Sequence, residues 1–198
     1  MGLFLNMGNE NFAEFSKTKY FVDKSELINI LLKKDITEKF ICNSRARRFG
    51  KSVTADMLVA YFSKGADSGE LFEPLKCVKD ELFCRNMNAY DTIFVDIQAL
   101  FKEASDAAAE PNQYIRSNLV RELREAYPDL ISKEMTLVAA LSEIHDKTGS
   151  RFVIIFDEWD YPVRELDAED QDRKAYIEML RGVFKGNAAK SYVRLVLH

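Results

Sequence analysis

Apolar residues follow two rhythms along this chain. Short, nearly unbroken apolar runs occur at Phe40-Ile41-Cys42, Ile93-Phe94-Val95, Phe152-Val153-Ile154-Ile155-Phe156 and Val193-Arg194-Leu195-Val196-Leu197. They predict strands at 40–42, 92–97, 151–156 and 193–197. Between them the apolar positions fall at helical spacing. Leu27, Ile28, Ile30, Leu31 and Leu32 predict a helix over 26–34, with Ser25 as its cap. Val53, Met57, Leu58, Ala60 and Tyr61 predict a helix over 52–64, closed by Gly65. Leu119, Leu123, Leu137 and Leu141 stripe a helical stretch over 101–147, with breaks near Pro111 and Pro128. Tyr176, Ile177, Leu180, Val183 and Phe184 mark a helix over 167–185. Residues 9–24 are rich in aromatics, and 65–90, with Gly69 and Pro74, read as a loop holding one short helix.

Strands that alternate with helices predict an α/β fold with a mainly parallel sheet, buried on both faces. The 198 residues suit a single domain, and 47% hydrophobic residues can fill its core. A net charge of −4 argues against a nucleic-acid footprint over the whole surface, though not against a local basic site. No apolar run approaches the roughly 18 residues of a membrane span. Three cysteines, Cys42, Cys77 and Cys84, without a Cys-x-x-Cys pair, suit a reducing cytoplasm.

Chemistry concentrates at two places. Arg45-Ala46-Arg47-Arg48-Phe49-Gly50-Lys51-Ser52 follows the first predicted strand and opens a helix. It has the ending of a phosphate-binding loop, Gly-Lys-Ser, with Arg45 where the first glycine is expected. Backbone N–H groups of such a loop and the positive end of the following helix attract a polyphosphate. Gly50 lets the backbone approach closely. Lys51 supplies a point charge to the β- and γ-phosphates, and Ser52 can ligate Mg²⁺. About a hundred residues later the run 152–156 ends in Asp157-Glu158. Asp157 suits the magnesium shell, and Glu158 suits a base that polarises water. Together the two halves point to ATP with Mg²⁺.

Blander roles stand beside these. Lys51, Ser52 and Asp157 also fit a solvated helix start, a cap and a strand-end charge. Glu158 also fits a structural carboxylate paired to Arg47 or Arg48. Those two arginines fit phosphate contacts, partner contacts or plain surface. Asp160, Asp23 and Lys24 are further candidates, and Trp159 fits stacking or packing. Cys77 and Cys84 make a poor metal pair in a chain with two histidines.

Three stretches resemble the predicted AAA-ATPase-like family of bacterial and archaeal proteins. They are Tyr20-Phe21-Val22-Asp23-Lys24-Ser25, the loop 45–52, and Asp157-Glu158-Trp159-Asp160-Tyr161-Pro162. The likeness runs from about residue 8 to the end. It implies a P-loop three-layer α/β sandwich in which 193–197 is inserted between the loop strand and 152–156, giving the order 40–42, 193–197, 152–156, 92–97. It implies phosphate contacts from Arg47, Arg48, Phe49, Gly50, Lys51 and Ser52, and a polar γ-phosphate sensor near His198. By analogy with such ATPases, aromatics in 12–21 flank the base. The family often continues into a nuclease-like domain. Residues 1–38 are therefore expected to flank a partial ATPase core at 39–198, truncated after the fourth core strand and slow in turnover. The rival expectation is a non-hydrolysing, nucleotide-dependent module that docks a protein or nucleic acid.

Overall fold

The computed structural model describes residues 2–34, 38–42, 49–167, 170–186 and 188–197. In chain order its elements begin with α1 (Glu10–Ser16), α2 (Glu26–Leu32), β1 (Phe40–Ile41), α3 (Lys51–Phe62), α4 (Gly69–Phe72), α5 (Glu81–Asn86) and β2 (Asp91–Asp96). There follow α6 (Ile97–Asp106), α7 (Pro111–Ala126), α8 (Leu137–Thr148) and β3 (Phe152–Asp157). The last are α9 (Tyr161–Glu165), α10 (Gln171–Phe184), α11 (Ala189–Tyr192) and β4 (Val193–Leu197). The fold is α/β of the P-loop three-layer type, with one four-stranded parallel sheet in the order β1-β4-β3-β2. This is the expected order. β4 pairs β1 in register Phe40 to Val196 and Ile41 to Leu197.

The chain divides into two compact units. The first comprises Met1–Phe94, Phe152–Ile155 and Arg194–Leu197. Its core is built around α3, whose residues Met57 to Phe62 are all buried. A helix apolar on every side belongs inside a core rather than on its surface. Phe12, Ile28, Leu31, Phe72 and Phe83 join it, as do Val153, Ile155, Leu195 and Leu197 from the sheet. The period of two in those last four puts one face of β3 and β4 against the helix. The N-terminal stretch runs antiparallel beside β2. Leu5 bridges Ile93, and the N–H groups of Asn6 and Phe94 bond Thr92 and Phe4 at 2.8 Å each.

The second unit comprises Val95–Arg151 and Phe156–Val193. In it α7 packs against α6, α8 and α10, and α9 packs against α6 and α10. Leu119 and Leu123 of α7 and Leu141 of α8 are buried, as the stripe predicts.

Several local expectations change. Ser25 does not cap α2 with its side chain. It is fully buried, and its Oγ accepts the N–H of Cys77 at 2.9 Å. β1 is shorter than expected and not buried, with Phe40 39% exposed. The break expected near Pro111 is present between α6 and α7, and Pro111 opens the second of these helices. It sits in the first turn of α7, where a missing N–H costs nothing, and Glu110 caps the N–H groups of Asn112 and Gln113. Residues 65–90 hold two short helices, the second capped by Asp80.

Candidate nucleotide site

In the first unit, Gly50 caps α3 with φ 70° and ψ 41°, a left-handed conformation. A side chain there is strained by roughly 1–2 kcal/mol, which is why glycine occupies the position. The turn places Lys51 and Ser52 in the first turn of a twelve-residue helix. Ser52 is exposed and Lys51 half-buried. The turn is held from within, since the Oγ1 and N–H of Thr54 both donate to the Gly50 carbonyl, at 2.8 and 3.1 Å. Phe49 is 62% exposed. Arg45, Ala46, Arg47 and Arg48 lie outside the described residues, as does His198.

Lys24, a minor candidate from the sequence, joins this turn. Its Nζ donates to the Phe49 carbonyl at 2.6 Å. Asp23 and Ser25 hold the segment that carries it. The Asp23 carboxylate accepts the N–H of Ser25 at 2.8 Å and that of Lys76 at 2.7 Å. Burial alone would push the Asp23 carboxyl up, but the hydrogen bonds from Ser25 and Lys76 and the charge of Lys76 outweigh it and hold the group below the usual carboxylate range. An aromatic-rich cavity of about 480 Å³ lies beside the turn, with Phe12, Phe15, Tyr20, Phe21, Gly50 and Val53 among its lining residues.

In the second unit, Asp157 ends β3 and Glu158 follows with φ 48°. A glutamate in the left-handed region is a strained residue of the kind that collects at functional turns. The Asp157 Oδ1 accepts the Glu158 N–H at 3.0 Å. Arg164, which the sequence reading passed over, gathers the acids that follow. It meets Asp160 and Glu165 at 2.8 Å and Glu158 at 3.5 Å. Hydrogen bonding to Glu165, then to Asp160, holds its guanidinium still more firmly in the charged form. The spacing of four from Asp160 to Arg164 was the available signal. The alternative pairing of Glu158 with Arg47 or Arg48 lies outside the described residues, and Arg164 is a described contact of Glu158. Trp159 offers its carbonyl to the buried Tyr176 hydroxyl at 2.8 Å.

The fold is α/β of the P-loop type, with a left-handed glycine opening the helix after β1 and, in the second unit, Asp157 ending β3 with Glu158 after it. The chain belongs to the predicted AAA-ATPase family, which matches residues 6–197. No curated protein and no solved structure matches it. Among the described residues no helix is long and apolar enough to cross a membrane.

Proposed function

We propose that the chain binds ATP with Mg²⁺ and hydrolyses it slowly, as a switch or motor module of a larger protein. One observation carries the reading: Gly50, in a left-handed turn, delivers Lys51 and Ser52 to the start of α3, the next element in the chain after β1 of a parallel sheet. Ligands of such sheets bind beyond the carboxyl ends of the strands. Asp157 is the carboxyl-terminal residue of β3, and Glu158 follows it. Lys51 and the loop N–H groups bind the β- and γ-phosphates. Arg47, Arg48 and Phe49 complete the loop. A hydroxyl and a carboxylate form an oxygen donor set that suits Mg²⁺, so Ser52 and Asp157 would hold the ion. When bound, it neutralises charge on the phosphates. Glu158 orients the attacking water and takes its proton. The cavity beside Gly50 is of a size that suits a base and ribose. The three free cysteines support a cytoplasmic setting.

Melting with and without Mg-ATP tests this. The wild type should melt higher with the ligand, and Lys51→Ala should lose the rise. Glu158→Gln should keep the rise and lose phosphate release. A wild type that melts identically with and without Mg-ATP ends the proposal.

A second reading, a nucleotide-dependent docking module, is favoured by a groove of about 510 Å³ in the second unit, lined by Arg116, Arg121, Arg124 and Lys133 with Glu134. Basic side chains gathered on a net acidic chain suit a phosphate backbone. Salt-sensitive binding of a DNA or RNA duplex, abolished by Arg121→Glu with Arg124→Glu, would favour this role. Phosphate release lost in Glu158→Gln with duplex binding unchanged would favour the ATPase.

A further inference from the structure

We propose that Lys24 is a positioning residue for the phosphate loop, holding the Gly50 N–H aimed at the phosphate. The inference rests on the nucleotide reading above. A trans peptide points its C=O and the following N–H in opposite directions. The Lys24 ammonium holds the Phe49 carbonyl at 2.6 Å, so the N–H of Gly50 faces away from Lys24. Flipping that peptide would turn a carbonyl where a phosphate needs a donor. Glycine places little torsional barrier against such a flip, and the restraint has to come from outside the residue. Lys24 is well placed to give it, because its Nζ also lies 3.1 Å from where a Cβ at Gly50 would stand.

The base of Lys24 is rigid. Asp23 grips two backbone N–H groups, and the fully buried Ser25 accepts a third, from Cys77. Asp23-Lys24-Ser25 thus divides its labour. The flanking residues clamp the segment to residues 76–77, and the residue between them reaches the loop.

The test uses the whole chain, titrated with Mg-ATP and with Mg-tripolyphosphate, which carries no base. Lys24→Met should weaken both ligands by the same factor, roughly tenfold, as expected for losing the organising effect of a charge-assisted hydrogen bond. The ligand-free melting temperature should barely move, because the bond is exposed. Lys24→Arg, which keeps a charged donor, should restore most of the affinity. The amide resonance of Gly50 should shift strongly when tripolyphosphate is added to the wild type, and should broaden or double in ligand-free Lys24→Met. Wild-type affinity for both ligands in Lys24→Met, or a Gly50 amide unmoved by tripolyphosphate, overturns the proposal while nucleotide binding stands. A wild type that binds neither ligand overturns the nucleotide reading and this inference with it.

Discussion

The Tyr176 hydroxyl donates to the backbone carbonyl of Trp159 at 2.8 Å. A side chain of α10 thereby holds the turn that carries Glu158 and Asp160. Tyr176 is fully buried, and burial pushes its phenol pKa well up, so it stays a donor. Phe101 packs edge-on against Tyr176 and Tyr161, at centroid distances of 5.7 and 6.1 Å. Tyr176→Phe keeps that packing and removes only the hydroxyl. It leaves a carbonyl without this donor, at a cost of about 1–3 kcal/mol. Urea unfolding should show the loss, and phosphate release should fall with it. Stability within error of the wild type would mean that the bond does not hold the turn.

Glu158 combines a strained backbone with a weak ion pair. Its φ of 48° costs a non-glycine residue about 1 kcal/mol. Its contact with Arg164 at 3.5 Å involves partly exposed side chains, and such pairs contribute at most about 1 kcal/mol. Glu158→Gly relieves the first term and loses the second. The variant should therefore unfold within about 1 kcal/mol of the wild type while phosphate release disappears. A loss well beyond that, with turnover retained per folded molecule, would make the carboxylate structural.

Gly50 and Gly65 separate backbone strain from function. Both have positive φ, 70° and 84°. A Cβ at Gly65 meets nothing within 4 Å, whereas one at Gly50 meets the movable tip of Lys24. Torsion therefore dominates at both, and each alanine variant should lose roughly 1–2 kcal/mol. Only Gly50→Ala should also weaken Mg-ATP, measured by calorimetry on the folded protein. Equal affinities in the two variants would remove Gly50 from the site.

Much of the fold was legible because burial leaves a local mark. β3, β4 and β2 read as apolar runs because a parallel sheet is covered on both faces, and their observed ends differ from expectation by about one residue. The strand order rested on likeness, since apolar runs do not encode neighbours. Residues whose partners are distant in sequence were illegible. Ser25 has the composition of a cap, yet its partner is Cys77. Lys24 acts on Phe49, and Tyr176 on Trp159. The break near Pro111 was legible from the proline, and the cap at Glu110 adds that this residue opens the following helix.

Acid should act on this protein through opposed carboxylates. Asp23 and Glu110 both sit below their ordinary values. Burial raises each, but donors outweigh it. These are Ser25 and Lys76 at Asp23, and the Asn112 side chain with the N–H groups of Asn112 and Gln113 at Glu110. Both bind protons more weakly folded than unfolded. Their contribution is complete above the unfolded value, about 4, and is lost as pH falls through the lower folded values. Asp172 has the opposite sign. Burial, then the charges of Asp170 and Glu110, raise it, so its ionisation opposes folding and protonation relieves that. Two groups against one predict stability that is level near neutrality and declines below about pH 4. Asp23→Asn and Glu110→Gln should each lower stability at pH 6 and flatten the acid decline. Asp172→Asn should raise stability at pH 6 and steepen the decline. Urea midpoints from pH 7 to pH 2 measure all three, and an acid decline as steep in Asp23→Asn and Glu110→Gln as in the wild type would reject this assignment of the slope.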